Sequence, residues 1–423
     1  AGLLTTATAA TVASATLVGL ALAWSLSSVA LCALLALYRG FPAADEGVRR
    51  TVRAFVIGDG ALWAAVTVAV LTWGDLNLRA LATAGLPDPA DPTTITIVAL
   101  LLVVAAMARS AQVPLQSWLP ATIAAPTPVS ALLHAGMING GGVLLVRTSP
   151  IFGASTAATH LAFAVGATTA IYGTALMLAK PDVKGALAHS TMGQMGFMVM
   201  TCGLGAFGAA IFHLVAHGLY KSTLFLGSGG AMRRHARHLK APPRPALAGA
   251  PQLRAIALAA ALPAGAIVLG DALLPAEPLH GHGGTALLIF AWATGAALTW
   301  GWLRRTPSLL GTLALVPALG IATLAYLGAL RTATGFLDPS LVAAGTDTVS
   351  AWALLPVLAI GGALSLIRAP RFERHTRRAH EQLYVWALGA GHLGRRPTRR
   401  RTPPRQAAAW PGILIPRSEG GHS

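Results

Sequence analysis

AAIFHLVAHGLYKSTLFLG, residues 209–227, is long and apolar enough to cross a bilayer, yet it carries His213, His217 and Lys221. Their spacing of four residues puts all three on one helical face, over roughly 12 Å of axis. Titratable side chains are costly inside a membrane and mark ion or proton paths. Histidine, with an ordinary pKa of about 6.5, takes up and passes protons near neutrality. Lys221 joins such a chain only where its surroundings make the charged form costly. An i, i+4 histidine pair is also half of a metal site, but no Glu completes an HExxH pattern and no other ligand set stands at metal spacing. Packing, as in any large bundle, is the bland alternative; three such residues on one stripe exceed what packing needs.

The rest of the chain bears the same stamp. Of 423 residues, 54% are apolar and 11% charged, with a mean hydropathy of +0.63. That usage excludes an ordinary soluble domain and implies an all-α, polytopic membrane bundle. Abundant glycine suits transmembrane helices, and Cys32 and Cys202, both in apolar segments, suggest neither a disulfide nor a thiolate metal site. The formal charge of +17 does not point to nucleic acid, because 12 of the 31 Lys and Arg lie at or beyond Arg368. That tail reads as a cytoplasmic segment beside anionic lipid. The chain opens directly in apolar sequence, without an initiator Met or a signal peptide. Residues 1–17 read as the end of an earlier helix, which leaves open a fragment with further helices before residue 1.

At about 20 apolar residues per crossing, spans are expected near 18–38, 54–73, 93–108, 127–146, 156–179, 184–202, 207–227, 254–274, 285–303, 309–330 and 350–367. The segments between them alternate in charge. One set holds Arg39, Arg49, Arg50 and Arg53, then Arg109, Lys180 and Lys184, then Arg233 to Arg254, then Arg304, Arg305 and the tail. The other sets Arg79, Arg147 and Arg331 against Asp75, Asp88, Asp91, Glu277, Asp338 and Asp347. The positive-inside rule faces the first set to the cytoplasm.

Two places break the pattern. Residues 109–126, RSAQVPLQSWLPATIAAP, are too proline-rich for a straight span and too apolar for a free loop, so a short interfacial helix and a re-entrant connection are expected. The run NGGG at 139–142 either admits a close helix neighbour or loosens the helix beside a conduit. Residues 231–253 read as a cytoplasmic linker, 254–367 as C-terminal transmembrane helices and 368–423 as a basic cytoplasmic tail.

Further polar residues extend the candidate path. His134 follows PTPVSALL, and His189 stands beside Ser190, Thr191 and Gln194. A hydrogen-bonded structural role competes with relay for His134 and is the stronger reading for His189. Asp59 reads as a helix-end partner of Arg53 or as the counter-charge of a relay cation, and Asp271 as interfacial. No phosphate loop, dinucleotide fingerprint, quinone or flavin signature or Cys cluster is found, so no cofactor is expected in this chain. An ion gradient or a partner subunit must then supply any drive.

ARSAQVPLQSWLPATIAAPTPVSALLHAG at 108–136 resembles the signature of antiporter-like membrane subunits, a superfamily that includes chain L of NADH-quinone oxidoreductase and Mrp-type Na+/H+ antiporter subunits. KPDVKGALAHSTMGQMGF and AAIFHLVAHGLYKSTLFLGSG resemble the next two motif helices of the same family. The resemblance implies an antiporter-like bundle of about eleven or more helices, some broken, with a polar axis of Lys, His and acidic residues; residues 1–230 would form its proton-conducting core. Departures separate the branches. The acid expected after Trp24 is replaced by Ser25, and a lysine expected at 109 is arginine, which stays protonated and cannot switch. HAGMINGGGVLLVRTSP and the run from Ser190 to Leu226 resemble instead the DabB membrane subunits of inorganic-carbon accumulation complexes.

That resemblance implies a proton- or other cation-conducting subunit of the bacterial cell inner membrane. It would couple an ion gradient to CO2/bicarbonate uptake by a DabA-like, zinc-containing partner on the cytoplasmic side. Zinc is expected in that partner and not in this chain, which is not itself an enzyme. By motif, His213, His217 and Lys221 form the central relay, His134 and Lys184 are flanking stations, and Arg109 and Asp59 tune them electrostatically. The alternative is a subunit of a NADH-quinone oxidoreductase or Mrp-type complex.

Overall fold

The computed structural model describes residues 1–37, 40–87, 91–180, 182–228, 250–274, 281–306 and 308–337, together with the single residues 230, 381 and 385. The expected span at 350–367, the tail from 368 apart from two isolated residues, and most of the linker at 231–253 lie outside the described residues. Among the described residues the architecture is all-α, with no strand beyond an isolated bridge between Thr16 and Asn77.

Local signals explain most of the helix starts. Helix α1 (Gly2–Ala13) turns sharply into α2 (Leu17–Ala36), where the Thr16 hydroxyl caps the new helix by accepting from Gly19 N. A proline opens α3 (Pro42–Trp73), at a position whose N–H has no helical partner anyway. The short α4 (Leu78–Ala84), capped by Asn77, was not expected. At the head of α5 (Pro92–Arg109) the Asp91 carboxylate accepts from Thr94 N at 2.8 Å; the Thr94 backbone and hydroxyl together hold its pKa below the usual carboxylate range.

After α5 the chain reverses inside the protein. Ala111, fully buried, takes a left-handed φ of 49°, which costs a residue with a Cβ about 1 kcal/mol. Gln112 N bonds Met107 O, and Val113 N bonds the Thr169 hydroxyl at 3.0 Å. Protein groups thus satisfy the irregular backbone, as a lipid-embedded segment requires. A single helical turn, α6 (Trp118–Ala121), and a 3-10 turn at Thr122–Ala124 complete this segment. Trp118 is buried in it, edge-on to Phe55 at 5.0 Å, with its indole N–H donated to Ala108 O. Burial makes this more than the interfacial connection expected of 109–126.

The span expected at 127–146 is present as one apolar stretch, Thr127–Arg147, but it is broken into pieces. It comprises α7 (Thr127–Ala135), a 3-10 turn at Met137–Asn139 and α8 (Gly140–Arg147). The break falls at Gly136, ahead of the NGGG run, and the glycines of that run serve close packing. A Cβ on Gly141 would lie 2.4 Å from the Ser110 hydroxyl, and one on Gly142 2.4 Å from Met198 Sδ. Beyond the small turn α9 (Ser149–Phe152) come α10 (Thr156–Ala179), α11 (Val183–Gly203) and α12 (Phe207–Leu226). The backbones of α10 and α11 touch: a Cβ on Gly173 would meet Gly193 N at 2.4 Å. Helices α13 (Ala250–Leu273), α14 (Gly281–Leu303) and α15 (Leu309–Leu337) follow, α13 starting inside the stretch read as linker. Arg331 of α15 pairs with Asp271 and donates to Leu274 O on the α13 side.

Seven helical segments among the described residues are long and apolar enough to cross a membrane, and Thr127–Arg147 is one of them. Helices α11 and α12 are not in that set although each has 20 residues or more. Their polar side chains, including His189, Gln194, His213, His217 and Lys221, offset the apolar ones.

Candidate functional site

Helix α12 is two-faced in the way the spacing of its polar residues requires. Leu219, Tyr220, Val215 and Leu226 point outward and are largely exposed, whereas His217 and Lys221 are buried at 3% and 0%. His213 lies beneath Phe197 of α11, ring centroids 5.0 Å apart, and stacks loosely on His217 at 5.9 Å. One turn beyond Lys221, Phe225 stacks on His134 of α7 at 4.4 Å with the planes 19° apart. His134 and His213 each lie within electrostatic range of His217 and Lys221. The structure therefore brings together four of the five expected relay residues.

The amine of Lys221 crosses to α11, donating to the Ser190 hydroxyl at 2.8 Å. Among the described residues no carboxylate pairs with it. The ring nitrogens of His217, Nδ1 of His134 and Nε2 of His213 and His189 are buried without a hydrogen-bond partner among the described groups.

Lys184 stands apart from this cluster. It donates to Ala125 O at 3.0 Å, tying the first turn of α11 to the segment that leads into α7. His189 is fixed by a 2.8 Å contact between Nδ1 and Gly185 O, in keeping with its structural reading.

Arg109 forms a second centre and corrects its placement among the cytoplasmic loop charges: it is 2% exposed. Its guanidinium donates to the hydroxyls of Ser27 and Ser28 at 2.7 and 2.6 Å and to Asp59 Oδ1 at 3.4 Å. The group lies over the Trp24 ring, 4.0 Å from its centroid, and near Phe55. Asp59 also accepts from the Trp24 indole at 2.8 Å, so its partner is Arg109 and not Arg53. Ser25, where the family pattern has an acid, accepts from the Trp63 indole instead. An acid of α3, Asp59, thus stands beside both Trp24 and Arg109.

Beside Arg109 lies a cavity of about 340 Å³ whose lining includes Trp24, Ser27, Arg109, Asn139 and, from the outward face of α12, Val215 and Leu219. The helix break at Gly136 opens onto it, and Asn139 Oδ1 is a further orphan acceptor. Among the described residues no group of three or more His, Cys, Asp and Glu comes together to hold a metal ion. Reading the sequence alone missed Ser27, Ser28 and Phe225 as members of these centres and noted Ser190 only as a neighbour of His189. The one available signal was their position one to four residues from a marked titratable or aromatic residue, which many serines share.

Residues 14–267 match the family described as NADH:quinone oxidoreductase/Mrp antiporter, TM. The chain is 38% identical over 299 residues to the probable inorganic carbon transporter subunit DabB1 of Halothiobacillus neapolitanus, covering 67% of this chain and 53% of that protein. It is 38% identical over 218 residues to NADH-quinone oxidoreductase subunit L of Mycobacterium tuberculosis, covering 51% of this chain and 34% of that one. Among solved structures, the Mrp complex from Dietzia sp. superposes with a TM-score of 0.57 at 28% identity, over 92% of this chain and 48% of that one. The chain spans about half, or less, of the length of the relatives it matches.

Proposed function

Because the chain belongs to the NADH:quinone oxidoreductase/Mrp antiporter transmembrane family, we propose that it conducts protons, or another monovalent cation, through the line His213, His217 and Lys221. His134 flanks that line, Lys184 is its outlying station, and the Arg109–Asp59 pair sets the field around it. The observation that carries the reading is a fully buried lysine, aligned with two histidines on one helix, whose hydrogen bond goes to a neutral hydroxyl. A permanently charged ammonium in that setting would be costly, so the site favours a group that releases its proton.

In this reading the conducted ion drives inorganic-carbon uptake by a DabA-like zinc protein bound on the cytoplasmic side of a bacterial inner membrane. CO2 hydration belongs to that partner, and this chain acts as a transporter subunit without catalysing a reaction. Support comes from the longer match to DabB1 than to subunit L, and from Arg109 and Ser25 standing where a respiratory subunit would have switchable groups. A subunit of a respiratory or Mrp-type complex is the second reading, supported by the likeness to the Mrp complex.

The test is a strain that keeps the zinc protein and lacks this chain. It should fail to grow in ambient air and recover when the gene is restored. Growth equal to that of the intact strain overturns the carbon-uptake reading, and co-purification with quinone-reductase or Mrp subunits establishes the second.

A further inference from the structure

The polar stripe of α12 does not continue past Lys221. The next residue on that face is Phe225, held flat against His134 at 4.4 Å, and beyond it Leu226 faces outward. A proton that has reached the Lys221 amine therefore meets an apolar plug along its own helix. The hydrogen-bonded exit from the amine is sideways, to Ser190 Oγ on α11 at 2.8 Å. We infer that Ser190 is the positioning residue at which the relay leaves α12 and turns onto α11.

The chemistry of a hydroxyl suits the task. It accepts a hydrogen bond from the ammonium form of Lys221 and can donate one to the neutral amine, so the contact survives both charge states. A carboxylate here would hold the ammonium as an ion pair and a methyl group would leave it unpartnered; the first traps the proton and the second excludes it. The platform is rigid. Three residues on from Ser190, Gly193 is in backbone contact with Gly173 of α10, so α11 cannot drift away from α12 by sliding along α10 without breaking that packing. On the side of Ser190 toward the start of α11 stand His189, with its Nε2 buried and unpartnered, and then Lys184.

This inference rests on the proposed proton conduction, and the experiment separates the two. The full-length protein in its native complex is reconstituted into liposomes, and proton entry under an imposed potential is followed with an entrapped pH dye. The variants are Ser190→Ala, Ser190→Thr, Lys221→Ala and the Ser190→Ala/Lys221→Ala double, each checked for assembly by size-exclusion chromatography. Ser190→Ala should lower the flux about tenfold, the loss of one hydrogen bond to a charged group, while Ser190→Thr keeps most of it. The double variant should conduct no less than Lys221→Ala, because the two side chains act as one unit. Wild-type liposomes without flux refute conduction itself. With wild-type flux present, undiminished flux in Ser190→Ala, or losses that simply multiply in the double variant, overturns the role of Ser190.

Discussion

Arg109 Nη2 lies 3.4 Å from Asp59 Oδ1, and the Trp24 indole donates to the same carboxylate oxygen at 2.8 Å. Three helices, α2, α3 and α5, are pinned by one charge cluster in an otherwise apolar core. The pair is close to neutral as a unit, which lets a guanidinium that cannot lose its proton persist at 2% exposure.

Removing one partner should therefore cost more than removing both. Asp59→Asn is expected to destabilise the purified protein by about 2 kcal/mol, since it leaves the arginine charge uncompensated. An Asp59→Asn/Arg109→Gln double variant should recover part of that loss. Thermal melting in detergent checks it; additive losses would mean that the two groups are not coupled.

Lys221→Met keeps the volume of the side chain and deletes its proton site. Proton flux in liposomes should fall at least about tenfold while assembly is unchanged, as for loss of a positioned acid–base group. Retained flux would remove Lys221 from the path.

His217→Ala is expected to reduce flux in the same assay, whereas His160→Ala should not. Both residues are histidines in apolar helices, but His217 is buried between His213 and Lys221, and His160 is exposed on α10 and bonded to Thr156 O. Equal effects, or none from either, would favour a purely packing role for the α12 stripe.

Gly141→Val tests the close packing of the broken helix. A Cβ there meets the Ser110 hydroxyl at 2.4 Å and Ala106 O at 2.6 Å, so backbone must move. A loss of about 1–3 kcal/mol is expected, read as a lower melting temperature. Gly320→Ala on α15 has open space around it and should be close to neutral.

The cap on α5 carries a pH dependence outside the membrane spans. Hydrogen bonds from Thr94 depress the Asp91 pKa in the folded state, so the carboxylate contributes stability above the ordinary value of 3.8. That contribution fades as pH falls below 3.8 and is gone below the depressed folded value. Asp91→Asn should keep the cap geometry and abolish this acid dependence, measured as melting temperature against pH.

Much of this was legible before any helix was packed. Three polar residues at i, i+4 and i+8 share a face in any α-helix, so the inward stripe of α12 follows from the backbone period alone. The prolines of 109–126 and the small residues after His134 likewise announce that straight helices stop there, although the break fell at Gly136 and the glycine run turned out to serve packing. Asp59 was less legible. Its neighbour in sequence is Arg53, and only the packing of α5 on α3 brings Arg109, 50 residues away, to its carboxylate.

What the amino-acid sequence determined by itself is the class of molecule, the helical faces and the inventory of titratable groups, because composition and a 3.6-residue period are local properties. What only the tertiary structure decided is who touches whom across helices: Arg109 with Asp59, Lys221 with Ser190, His134 with Phe225. Such contacts depend on how far each helix is turned and shifted against its neighbours, which the summed packing of many apolar side chains sets and no short stretch of sequence encodes.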